Sequence, residues 1–118
     1  MDNEKEKYLF DVLESIEIIE KHLSNTTNYS SFSNNILVQD AVQRRLAIIG
    51  EALWKITKLK LVINITDLQK IIGFRHILIH DYDRIETPTI WLIVTKNLQL
   101  LKMETETILK KSDGSTSN

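Results

Sequence analysis

Residues 36 to 56 carry apolar side chains over more of the helix surface than one stripe, and that breadth limits the fold more than any other feature of the chain. Ile36, Leu37, Val38, Ala41, Val42, Leu46, Ile48, Ile49, Ala52, Leu53 and Ile56 follow one another at helical spacing. A single stripe would satisfy one neighbour; a wider set calls for burial against several, either other helices or a second subunit. The spacing predicts a helix to about residue 58. Ser33, Asn34 or Asn35 supplies its N-cap, because a short polar side chain there can accept from an otherwise unpaired N–H.

The neighbours for that helix are legible on both sides. Tyr8, Leu9, Val12, Leu13, Ile16, Ile19 and Leu23 recur at three- and four-residue steps and predict a helix over 3–24. His22 at its end is a cation favoured by the helix dipole. Asn25 to Asn34 is nearly all Asn, Thr and Ser, residues that compete for backbone hydrogen bonds and favour loops, with Tyr29 and Phe32 pinning the loop to the core. Lys60 to Ile65 is β-branched but short and isolated, so it reads as an extended connection. Thr66-Asp67-Leu68-Gln69 has the pattern of a capping box, which starts a third long helix running to about residue 82. Gly73 lies inside it, where a glycine costs about 1 kcal/mol relative to alanine and leaves room for another backbone. Thr87-Pro88 begins a fourth helix, with Ile90, Trp91, Val94, Leu98, Leu101, Thr105 and Ile108 on one face, to about residue 110. Trp54 and Trp91 are core or interface anchors. The expected fold is all-α, an antiparallel bundle of four to five helices, homodimeric, with one domain over 1–111 and a disordered tail over 112–118.

With 118 residues there is room for one domain. The absence of cysteine excludes disulfides, thiolate catalysis and thiolate-bound metals. The charged amino end argues against a signal peptide, and no window has the length of a membrane span, so a cytoplasmic location is expected. Net charge is −1, yet residues 2 to 22 hold seven acids against three lysines and residues 43 to 76 hold seven bases against two acids. A modest basic surface can therefore form around the second segment.

That segment ends in the chemically distinctive stretch Gly73-Phe74-Arg75-His76-Ile77-Leu78-Ile79-His80-Asp81-Tyr82. Arg75, His80 and Tyr82 spell Arg-x4-His-x-Tyr. A permanent cation holds a phosphate, and an imidazole moves protons near neutral pH, which is what phosphodiester chemistry without a metal requires. The spacing sets a problem. At 100° per residue Arg75 and Tyr82 share a face, while His80 lies about 140° from Arg75. Either the helix loosens near His80 and Asp81, or the site combines side chains from two copies of this helix; the second option also accounts for the wide apolar surface of residues 36–56.

At these residues the sequence resembles the HEPN superfamily and, within it, the HepT toxins. The superfamily hallmark is Arg, four to six residues, then His, usually with a polar residue after the arginine; here that residue is His76, where asparagine is commonest. HepT proteins extend the hallmark to Arg-x4-His-x-Tyr. A second stretch, Asp40-Ala41-Val42-Gln43-Arg44-Arg45-Leu46-Ala47-Ile48-Ile49-Gly50-Glu51-Ala52, is similar to the same family in its Asp-Ala-Val start and Ile-Gly-Glu-Ala end. The likeness covers about residues 5 to 110. It implies a homodimeric, metal-independent endoribonuclease, the toxin of a type II- or VII-like system, acting on tRNA or mRNA. It also implies a minimal nucleotidyltransferase (MNT) antitoxin that transfers AMP to the motif tyrosine, here Tyr82, and silences the nuclease.

The expected roles are Arg75 and His80 in catalysis, His76 and Asp81 as auxiliary or RNA-binding groups, and Tyr82 as the modified residue. No metal and no cofactor are expected, since no His and acid cluster has ligand spacing. The rival function is a non-catalytic bundle that presents nucleotides or substrates to a nucleotidyltransferase. The plainer structural reading pairs Arg75 and His80 with Asp40, Asp81 or Asp83 at a helix junction, and makes Glu51 a partly buried, hydrogen-bonded structural carboxylate.

Overall fold

The structure is a computed structural model and describes residues 3–81, 83 and 85–112. Its described elements are all helical: α1 (Asn3–His22), α2 (Tyr29–Ser33), α3 (Ile36–Lys58), α4 (Leu68–His80), α5 (Thr87–Leu92), a π-helical turn (Ile93–Asn97) and α6 (Leu98–Ser112). Helix α1 packs along α3 and α6, α4 lies on α3, and α2 is held between α3 and α5. The bundle is elongated, 47 × 29 × 19 Å, because α3 alone spans about 34 Å at 1.5 Å per residue. Among the described residues no helix is long and apolar enough to cross a membrane.

The periodic residues of the sequence form the core. Leu9, Val12, Ile16 and Ile19 of α1 are buried against Val42, Leu46, Ile49, Leu53 and Ile56 of α3, with Ile90, Val94, Leu98 and Leu101 closing the third side. Each such side chain contributes about 1.5–3 kcal/mol through removal from water. Thr105, which falls on the same stripe of α6, is fully buried, and its hydroxyl has no partner among the described residues.

Four local expectations change. The polar stretch before α3 is not wholly a loop: Asn28 caps a five-residue helix, its Oδ1 accepting from Ser31 N at 2.8 Å, and this turn drives Phe32 into the core. Phe32 and Tyr29 both pack on the Trp91 ring, with centroids 5.2 and 6.4 Å away. The capping box at Thr66 is not made. Thr66 instead donates its N–H and hydroxyl to the Glu104 carboxylate of α6, at 3.0 and 2.6 Å, while Asp67 accepts from Asn97 at 2.8 Å. A bidentate carboxylate from a neighbouring helix outcompetes the local glutamine, so α4 starts at Leu68 without a side-chain cap.

Helix α5 likewise has no side-chain cap bond, and it begins one residue early, at Thr87, with Glu86 as N-cap. The fourth expected helix is continuous but widens into a π turn at residues 93–97, where Leu98 N–H reaches back to Ile93 O and the Thr95 hydroxyl takes Trp91 O at 2.7 Å. Elsewhere Asn35 caps α3 through Val38 N at 3.1 Å, and residues 61–65 are an extended connection. Lys60, with φ 60°, turns the chain out of α3. Ser112 closes α6, and the remainder of the expected tail lies outside the described residues.

Candidate functional site

The candidate site begins at the α3–α4 contact. Gly50 is buried on α3, and a Cβ built there would overlap Arg75 Cβ and sit 3.2 Å from the Ile71 carbonyl oxygen. Only a hydrogen at that position lets α4 lie this close, and the close approach brings the Arg75 side chain flat onto α3. The next residue, Glu51, takes it: Oε1 accepts from Arg75 Nε at 2.6 Å and lies 2.6 Å from Nη2. One turn on, Trp54 presents its ring to the guanidinium, with Cζ 4.9 Å from the ring centroid, a stacking contact that arginine makes readily. Lys55 Nζ approaches the other Glu51 oxygen at 3.7 Å. The Arg75 side chain keeps 19% of its surface open and Glu51 36%, so the pair sits at a rim, half in and half out of water.

Helix α4 stays regular to His80, its last residue. The loosening near His80 therefore does not occur within the helix. Arg75 points toward α3, while His76 and His80, one turn apart on the exposed side, lie with ring centroids 4.7 Å from each other. At helical spacing His80 is about 140° around the axis from Arg75. Asp81 is the C-cap, its N–H donating to Ile77 O at 2.9 Å. Tyr82 lies outside the described residues. A single chain thus brings together Arg75, Glu51 and Trp54, and separately His76 and His80.

Gly73, expected to admit another backbone, has no other segment among the described residues within 4 Å of where a Cβ would be; the glycine in close contact with another helix is Gly50. Glu51 is hydrogen-bonded and partly buried, as the plainer reading had it, but its partner is Arg75. The signal that could have found it was the Gly-Glu step itself, a small residue beside an acid in a face otherwise apolar. Beside Glu51 opens a cleft of about 430 Å³, walled by Tyr8 and Asp11 of α1, Arg44 and Lys55 of α3 and Ile79 of α4. Among the described residues no three His, Asp or Glu side chains cluster as a metal set would.

The all-helical bundle, with an arginine and a histidine five residues apart on α4 and the arginine seated on α3, accords with the HEPN resemblance of the sequence. The chain belongs to the ribonuclease HepT-like family, whose profile matches residues 12–108. It is 34% identical over 112 residues to a protein of Methanocaldococcus jannaschii named "Gamma-glutamylcyclotransferase and putative RNase MJ0434", covering 94% of this chain and 50% of that one. Two further proteins of the same organism, named "Putative RNase MJ1216" and "Putative RNase MJ1380", are 32% and 34% identical, over 94% and 86% of this chain and 92% and 93% of theirs. The chain thus spans half the length of the first of these relatives and nearly all of the other two. No solved structure matches it.

Proposed function

We propose that this protein is a metal-independent endoribonuclease whose working site is assembled from two copies of the chain, and that it is the toxin of a toxin–antitoxin pair acting on cytoplasmic tRNA or mRNA. One observation carries the reading: Arg75 is fixed on α3 while His76 and His80 are exposed, about 100° and 140° around the axis of the same helix from it. A homodimer that apposes the two α4 helices supplies the arginine of one copy and the histidine of the other to one phosphate.

RNA brings its own nucleophile. His80 acts as general base or acid: as base it takes the 2′-hydroxyl proton, and the freed oxygen attacks the adjacent phosphorus. The bond to the 5′-oxygen breaks, and that oxygen receives a proton from an acid of the site, leaving a 2′,3′-cyclic phosphate and a 5′-hydroxyl. Arg75 opposes the charge that grows on the non-bridging oxygens. His76 and Asp81 assist in holding RNA. Transfer of AMP from ATP to the Tyr82 hydroxyl, releasing pyrophosphate, places a bulky phosphate two residues from His80 and silences the nuclease; an MNT-type nucleotidyltransferase antitoxin is the donor enzyme.

The test is complementation. Arg75→Ala and His80→Ala are each inactive on RNA in the presence of EDTA. Mixed, unfolded and refolded together in equal amounts, they recover about a quarter of the wild-type rate, because half the dimers are mixed and each mixed dimer holds one intact composite site of two. No recovery from the mixture places both groups in one subunit. A wild-type protein that binds RNA without cleaving it leaves the presenting-partner function.

A further inference from the structure

Resting on the reading of Arg75 as the phosphate-holding cation, we infer that Glu51 is a positioning residue that decides which edge of that guanidinium meets the RNA. A guanidinium has five N–H groups arranged as a side edge, Nε with Nη2, and an end fork, Nη1 with Nη2. Glu51 Oε1 lies 2.6 Å from both Nε and Nη2 and so fills the side edge. Trp54 covers one face. The stem is pressed against Gly50, where no side chain intervenes. These contacts leave the end fork, whose parallel N–H groups match two oxygens of one phosphate. The carboxylate is itself held, since its second oxygen faces Lys55 Nζ one turn along α3 at 3.7 Å.

Charge and geometry make opposite forecasts here. Glu51 offsets the positive charge of Arg75, so if the site worked by net charge alone, removing the carboxylate would tighten RNA binding and speed cleavage. If the site works by presenting the fork, removing Glu51 frees the guanidinium to turn its side edge to the phosphate, and turnover falls even though the site becomes more positive. The second forecast follows from the contacts: three separate groups of α3 restrain one side chain.

The experiment is steady-state cleavage of a fluorogenic oligoribonucleotide by the full chain, with Glu51→Ala, Glu51→Gln and Arg75→Ala. Glu51→Ala loses about tenfold or more in kcat with KM changed less than about threefold, the split expected when an interaction made in the transition state is weakened. Glu51→Gln, whose amide oxygen can accept the same N–H groups, returns to within about threefold of wild type. An undiminished kcat for Glu51→Ala, with Arg75→Ala inactive, overturns the inference and leaves the ribonuclease reading intact. Wild-type turnover by Arg75→Ala overturns that reading and this inference together. If Glu51→Ala does not fold, ¹⁵N-edited spectra of wild-type Arg75 titrated with a 2′-O-methyl oligoribonucleotide decide the matter: the Nη resonances shift and Nε–H stays. An Nε–H shift as large as that of Nη refutes the assignment.

Discussion

Alanine at each of two glycines should move stability in opposite directions, and the structure gives the reason. Both Gly50 and Gly73 lie inside helices, where replacing glycine by alanine ordinarily gains about 0.5–1 kcal/mol by restricting the unfolded chain. At Gly73 no other segment among the described residues of the subunit stands within 4 Å of the new methyl, so within the subunit that gain is realised and the melting temperature rises by roughly 3–4 °C for a domain of this size. At Gly50 the methyl meets Arg75 Cβ and the Ile71 carbonyl oxygen. Neither is the free end of a side chain. The Arg75 Cβ is fixed to the α4 backbone, so relief requires the two helices to separate, and overpacking of that kind costs about 1–3 kcal/mol.

Set against the propensity gain, Gly50→Ala comes out up to about 2.5 kcal/mol less stable than wild type, and because the gain is common to both, the two alanine variants differ by the overpacking cost itself, about 1–3 kcal/mol. Urea denaturation followed by tryptophan fluorescence reads this directly; Trp54, one turn beyond Gly50, is a local probe. Because separation also withdraws Arg75 from Glu51, Gly50→Ala should lose RNA cleavage out of proportion to its stability. A Gly50→Ala protein as stable as wild type, with Arg75 function intact, would refute the close approach of α3 and α4.

Other outcomes follow from single contacts. Thr105→Val removes a buried hydroxyl that has no partner among the described residues and replaces it with a near-isosteric methyl, so stability rises by about 1 kcal/mol in the same urea assay. Lys60→Gly relieves the left-handed backbone at the end of α3 and stabilises by about 1 kcal/mol. The exposed Lys102–Glu20 pair, with Nζ 3.0 and 3.2 Å from the two carboxylate oxygens, gives a pH signature. Its hydrogen bond to Glu20 raises the lysine above its usual 10.5, so the folded state holds the proton more tightly. The pair's stabilisation is therefore complete below the unfolded value and declines as pH rises through the folded one. Comparison of wild type with Glu20→Gln shows a gap of less than about 1 kcal/mol at neutral pH that closes in strong alkali.

The helical pattern was legible because burial in a bundle is one-dimensional. Leu9, Val12, Ile16 and Ile19 must face one way, and only a helix lines them up. The motif was legible for a similar reason, since Arg75, His80 and Tyr82 lie within eight residues. The caps were less so: Thr66 and Gln69 are a correct local pattern, but Glu104, thirty-eight residues away from Thr66, makes the stronger bonds. Sequence spacing alone also determined that one straight helix cannot point Arg75 and His80 at the same phosphate, because residue rotation is fixed by backbone geometry.

Only the tertiary structure decided what Arg75 holds. Gly50, Glu51 and Trp54 are ordinary positions of an amphipathic helix until α4 is laid across them, and the docking distance between two helices is set by the side chains of both. Periodicity carries the direction in which a residue faces; it carries nothing about what stands opposite.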